Sequence, residues 1–350
     1  VAVAVLGSAL GVVAAAVDGV GPSAPPADAA PVEGGLGYTA LPAPCRAVDT
    51  RAIGVPGGDL VANETRSFQI RGSTSLAGQG GSGTGCGVPA TAQAVEVSIT
   101  AVSPSGTGFV RAYPAGGTVP TATFINYTNG RGITNTGTVP LNTAQTQDLG
   151  ITNFGGTIHV IVDVQGYFEP STGSSYVPLE APCRVVDTRN AGGTLAGGTS
   201  RSFQVAGSGS NFAAQGGTTN GCDVPDGVFG IEVSVTVTSP VGTGFVRVAP
   251  NDGTIPTTTF INYNDATGIT NTGTITPGNT QDLDVFVQNF GGTIHVIVDV
   301  QGYFTAGGGG TRYQTVTPCR TVDSRNAGGP FAPDLTRTFQ TAGVRGEFAR

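Results

Sequence analysis

The residue types of acid–base chemistry recur at one spacing in this 350-residue chain. His159 and Asp163 lie in the stretch from Gly155 to Phe168, and His295 and Asp299 repeat them in an identical stretch from Gly291 to Phe304. On a strand that even spacing puts each pair on one face, together with Ile161, Gln165 and Tyr167 in the first copy. A Ser-His-Asp hydrolase also needs a positioned nucleophile, and no Gly-x-Ser-x-Gly elbow is present. A solvated or hydrogen-bonded polar strand face is the plainer expectation. Glycoside hydrolysis needs two carboxyl groups flanking a cleft, and nothing in the spacing brings Glu96 and Asp163 together.

The other recurring charges stand in Pro44-Cys45-Arg46-Ala47-Val48-Asp49-Thr50-Arg51, which returns at 182–189 and 318–325. The guanidinium fork suits buried carboxylates. Internal ion pairs are therefore expected among Arg46, Asp49, Arg51 and Asp163, and among Arg184, Asp187, Arg189 and Asp299, with ligand binding as the alternative. Arg111, Asn126 and Tyr127, with Arg247, Asn262 and Tyr263, offer the Arg, amide and ring groups of a sugar-binding patch; cross-strand packing accounts for them equally. Two Cys and one His per repeat fall one ligand short of a zinc site, and no Cys-x-x-Cys occurs. The calcium loop begun at Asn251-Asp252-Gly253 is incomplete. No metal and no cofactor are expected.

The cysteines instead read as disulfides. Cys45 and Cys86, and Cys183 and Cys222, form one pair per repeat, each closing a loop of about 40 residues. Cys319 is the odd one, its partner expected beyond Arg350. Such bridges require an oxidising compartment.

These motifs belong to an internal repeat. Residues 38–168 and 176–304 form two full copies, and 313–350 opens a third, with 169–175 and the Gly-rich 305–312 as short flexible linkers. The expected arrangement is independent units strung along the chain. Within each copy, apolar and polar residues alternate, as in Val95, Val97 and Ile99 against Glu96, Ser98 and Thr100. Phe109–Tyr113 and Thr121–Tyr127 read as further strands. Asp148–Phe154 and Thr157–Phe168 read as a hairpin turning on Gly155-Gly156. The expected fold is all-β: tandem antiparallel β-sandwiches, either Greek-key and immunoglobulin-like or jelly-roll-like.

Composition narrows the function. Charged residues are 11% of the chain, no Lys occurs, and the net charge is −7. That lacks the basic footprint of a nucleic-acid binder. Residues 1–17 are an uncharged apolar run just short of a membrane span. With Ala14-Ala15-Ala16 or Ala27-Asp28-Ala29 as a cleavage motif, residues 1–30 read as an export signal clipped at its N-terminus, leaving no membrane span in the mature chain.

The combination Pro44-Cys45-Arg46 with Asp49-Thr50-Arg51, Cys86-Gly87-Val88-Pro89 and Asp163-Val164-Gln165-Gly166-Tyr167-Phe168 resembles a tandem-repeat all-β module of secreted and cell-surface bacterial proteins of the actinobacterial type. The resemblance implies a non-catalytic domain of exported proteins, sometimes attached to wall-acting enzymes such as amidases. It brings no catalytic residues. The expected function is an extracellular or cell-surface structural or adhesion repeat. The alternative is a carbohydrate- or cell-wall-binding accessory region whose catalytic domain lies elsewhere. Partners would be cell-wall polysaccharide or other surface glycans and proteins.

Overall fold

The computed structural model describes residues 35–52, 58–170, 173–252, 255–278, 285–306, 310–314, 320–326 and 328–341. The expected signal at 1–30 and Cys319 lie outside them. Repeat 1 contains β1 (Leu36–Asp49), β2 (Thr65–Phe68), β3 (Ala94–Val102), β4 (Gly108–Pro114), β5 (Ile125–Tyr127), β6 (Ile133–Pro140), β7 (Leu149–Gly155) and β8 (His159–Pro170). Repeat 2 contains β9 (Ser175–Asp187), β10 (Ser200–Phe203), β11 (Gly230–Val241), β12 (Gly244–Pro250), β13 (Ile261–Tyr263), β14 (Ile269–Ile275), β15 (Val285–Phe290) and β16 (Thr293–Thr305).

Each repeat is a sandwich of two antiparallel four-stranded sheets. In repeat 1 the orders are β1-β8-β3-β6 and β2-β7-β4-β5, and repeat 2 has the same orders, β9-β16-β11-β14 and β10-β15-β12-β13. Successive strands alternate between sheets except at β4-β5. This is the eight-stranded jelly roll, which decides between the two sandwich types the sequence left open.

The β-branched faces meet inside. Val95, Val97 and Ile99 pack with Val110, Ile125 and Ile151 in repeat 1, and Val233, Val235 and Val237 with Val246, Val248 and Ile261 in repeat 2. Cys45 on β1 is bonded to Cys86 in the loop before β3, and Cys183 to Cys222, with Cα separations of 5.5 and 5.8 Å. Each bridge ties a first strand to a long connection that contains little regular structure.

Three local readings change. The expected hairpin is a crossing between sheets, because β7 pairs with β2 and β4 while β8 pairs with β1 and β3. Glycine serves close approach there: a Cβ on Gly156 would sit 2.5 Å from the backbone N of Gly106. The strand expected from Thr121 is confined to Ile125–Tyr127. Finally, β8 carries a bulge, since Glu96 faces Gly166 while Val97 faces Val164. The extra residue, Gln165, reverses the alternation. Tyr167 consequently packs against the sandwich core, and Phe168 takes the outer face.

The sandwiches are not independent units on flexible linkers. Ser174 N donates to Tyr38 O at 2.8 Å and Tyr38 N to Ser174 O at 3.0 Å, and the outer face of β1-β8-β3-β6 is covered by β13 and β14. Replacing Cys45 and Cys86 with Ser should lower the unfolding free energy by about 4 kcal/mol in the chain-entropy account. Urea titration of the double variant measures this loss, and peptide mapping without reductant should recover Cys45 joined to Cys86 and Cys183 joined to Cys222.

Candidate functional site

The recurring charges converge on the outer face of the first sheet of each sandwich. Arg46 closes its fork on Asp163, Nε to Oδ1 at 2.9 Å and Nη2 to Oδ2 at 3.2 Å, and Nη1 reaches Asp49 Oδ2 at 3.4 Å. Arg51 grips Asp49 from the other side through Nε and Nη2, at 2.9 and 2.7 Å. Repeat 2 has the same network: Arg184 on Asp299 at 2.8 and 3.1 Å and on Asp187 at 3.2 Å, with Arg189 on Asp187 at 2.9 and 2.6 Å. The motif recurs a third time, with Asp323 held by Arg320 and Arg325.

Burial pushes the Asp163 carboxyl above its ordinary range, and the Arg46 guanidinium opposes that push. At Asp187 the hydrogen bond from Arg189 is the largest influence and holds the carboxyl below its ordinary range. Each carboxylate is thus held by forks from its own repeat, and Asp163 takes a further backbone hydrogen bond from Thr259 of repeat 2.

His159 does not meet Asp163 as a catalytic pair. Its Nδ1 lies 3.3 Å from Thr50 Oγ1, which accepts the Val160 amide at 2.9 Å, and His295 repeats this with Thr188 at 3.1 Å. The face is also not solvated in repeat 1. Ser98, Thr100, Thr134, Asp163 and Gln165 are all buried there, because repeat 2 lies on them. Asn271 Oδ1 accepts the Thr136 amide at 3.0 Å, Asn262 Nδ2 donates to Thr134 Oγ1 at 2.8 Å, and Arg46 Nη2 donates to Thr257 O at 3.2 Å.

Glu96, read only as a lone carboxylate, is the centre of this contact. Its Oε2 accepts from Tyr38 Oη at 2.8 Å and its Oε1 from the Thr274 amide of repeat 2 at 2.7 Å. Tyr38 reaches it because Gly166 stands opposite Glu96; a Cβ there would lie 2.4 Å from Tyr38 Oη. Burial raises the Glu96 carboxyl above the usual carboxylate range, against the pull of those two hydrogen bonds. In the sequence Tyr38 marks only the opening of a repeat, as Tyr176 and Tyr313 do, and the structure gives it this contact.

Of the two readings of the Arg, Asn and Tyr set, packing accounts for most of it, and the residues do not form one surface patch. Tyr127 and Tyr263 are core residues whose hydroxyls donate to Asn153 and Asn289 Oδ1, both at 2.6 Å. Asn262 faces repeat 1. Arg111 lies 4.6 Å from the Phe154 ring centroid and 5.2 Å from Phe109, and Arg247 does the same over Phe290 and Phe245, as cation–π contacts on stacked rings. Only Asn126 stands open to solvent. Another surface feature does recur. A groove beside β2 is lined by Arg66, Ser67, Gln69, Ser75, Gln79 and Gln147 together with Phe68 and Leu76, and its more apolar counterpart beside β10 by Arg201, Ser202, Asn211 and Gln215 together with Phe203 and Ala214. Among the described residues no group of His, Cys, Asp and Glu could hold a metal ion, and no helix is long and apolar enough to cross a membrane.

No family model and no curated protein matches the chain. A solved structure it is similar to is the N-terminal CBM22-1-CBM22-2 tandem domain from Paenibacillus barcinonensis Xyn10C. The identity is 12%, the match covers 75% of this chain and 98% of that chain, and the TM-score is 0.17. At that score the likeness carries no argument about what this chain binds.

Two outcomes test the site. Arg46→Met strands Asp163, whose side chain has no exposure, and should cost about 3–5 kcal/mol; Arg184→Met should cost less, because the Asp299 side chain is 25% exposed. Urea midpoints of the two variants give the comparison. The folded protein holds the Glu96 proton more tightly than the unfolded chain, so this group's contribution favours folding at low pH. The contribution declines as pH rises through the raised folded value. Glu96→Gln should flatten that part of the stability profile above pH 4.5, read from melting temperatures across a pH series.

Proposed function

We propose that this chain is a non-catalytic repeat protein of the cell exterior, a structural or adhesion element. We assign its repeat to the tandem β-modules of secreted and surface proteins of the actinobacterial type. The observation that carries the reading is the fate of the recurring charges. Asp49, Asp163, Asp187 and Asp299 are engaged by Arg forks, and Glu96 by Tyr38 and Thr274. These groups hold strands and repeats together, which supports a mechanical role over a chemical one. The two disulfides support an oxidising, extracellular setting.

A second reading, a carbohydrate-binding accessory region, is favoured by the groove beside β2 and its counterpart beside β10. Arg66, Gln79, Arg201 and Gln215 are bonded within the fold, and the other hydroxyl and amide groups at one place in successive repeats suit a polyhydroxylated ligand. They would let one polymer engage two sites in tandem.

Retention of the whole chain on immobilised peptidoglycan, xylan, cellulose and chitin separates the two. The structural reading expects the chain to flow through every matrix. Retention with a dissociation constant tighter than about 1 mM, weakened by Gln147→Ala, would replace it with the accessory-region reading.

A further inference from the structure

The contact between repeats is head-to-tail, and its elements recur in a cyclic order. Tyr38 pairs through its backbone with Ser174, two residues before Tyr176. Tyr176 pairs with Thr311, two residues before Tyr313, and Tyr313 pairs with Leu36, two residues before Tyr38. All six hydrogen bonds of these bridges fall between 2.7 and 3.0 Å. Side chains follow the same order. Arg46 of repeat 1 donates to Thr257 O of repeat 2, and Arg320 of the third copy donates to Thr121 O of repeat 1, at 3.2 and 3.0 Å. Thr257 and Thr121 occupy one position of the repeat. The third copy therefore meets repeat 1 as repeat 1 meets repeat 2, and three such steps return to the start.

The aromatic cluster between the repeats obeys this rule. The rings run Tyr313, Phe168, Tyr38, Phe304, Tyr176, with centroids 4.4, 4.9, 4.4 and 5.1 Å apart. Each opening Tyr touches the closing Phe of its own repeat or of the next. Tyr176 and Tyr313, the two ends of the series, line one cavity of 290 Å³ with Glu96, Glu232 and Thr138. A cavity half that size accepts benzene, so this one has room for a sixth aromatic ring.

Burial points the same way. The outer sheet face of repeat 1 is sealed, with Asp163 unexposed and the Arg46 side chain 20% exposed; on repeat 2 the equivalent Asp299 and Arg184 are 25% and 42% exposed. Glu232 and Tyr176 are half-buried where Glu96 and Tyr38 are buried.

We infer that the two sandwiches are successive members of a closed three-fold ring, and that the face of repeat 2 carrying Tyr176, Arg184, Glu232 and Asp299 seats a third sandwich of this same repeat type. Its closing Phe fills the cavity between Tyr176 and Tyr313. Its strand equivalent to β14 offers an amide to Glu232, and its own central Glu accepts the amide of Thr138, the counterpart of Thr274. Heterologous contacts of one kind close when the rotation per step divides the circle.

The test appends a complete copy of residues 176–304 in place of everything from Tyr313, leaving both existing repeats intact. Solution scattering should give the compact envelope of three sandwiches about an axis, and hydrogen exchange at the Thr138 amide should slow at least tenfold relative to the 350-residue chain. Phe304→Ala in the appended copy alone should return that exchange to its original rate while all three sandwiches keep their β-sheet circular dichroism. An extended envelope, unchanged exchange at Thr138, or indifference to that substitution would overturn the inference. So would a stable dimer of the 350-residue chain that Glu232→Lys abolishes, since the occupant would then be a second copy.

Discussion

A carboxylate buried in protein is tolerated only when its oxygens are filled, and Glu96 fills its own from two different repeats. One oxygen takes the hydroxyl of Tyr38, the other a backbone amide of β14. Neither repeat alone satisfies the group, so burying it requires both. The surrounding hydroxyl ladder accompanies it, Thr100 with Thr134 buried and Ser98 with Thr136 partly so. The contact is specific because it is polar. Sliding one sheet over the other by a residue would strand several buried donors and acceptors at about 1–3 kcal/mol each.

The bulge at Gln165 is what makes this arrangement compatible with a filled sandwich. Up to Asp163 the strand sends Val160 and Val162 inward and its polar residues outward. After the extra residue Tyr167 turns in and Phe168 turns out, so one strand supplies both the jelly-roll core and the aromatic series between repeats. Gly166, opposite Glu96, leaves the width of a ring for Tyr38. A short stretch of sequence thereby sets internal packing and external docking together.

Much of this was legible from residue order. Strand alternation, the all-β class and the cysteine pairing follow from patterns local to each repeat, and the Arg forks from their recurrence beside Asp. Other features depend on what one strand meets on another. The polarity of Ser98 and Thr100 on β3 and of Gln165 on β8 is the same whether water or a neighbouring sheet satisfies them, so sequence alone does not show that repeat 2 covers this face. The Gly155-Gly156 pair suits a hairpin and a sheet crossing alike. The packing reading of Tyr127 follows from the strand pattern: Ile125 and Tyr127 flank Asn126, so a core position for one implies the core for the other. The choice of jelly roll required the strand order itself, which local periodicity does not encode.

The outer strands β6 and β14 bear on a hazard common to all-β proteins. An unpaired strand edge recruits other chains into sheets, and natural proteins usually blunt such edges with lysine. This chain contains no lysine at all. Its edge amides at Thr136 and Thr274 are instead capped by the side chains of Asn271 and Glu96. The contact that joins the repeats thus also covers these edges, and a threonine- and valine-rich chain can remain discrete without lysine on them.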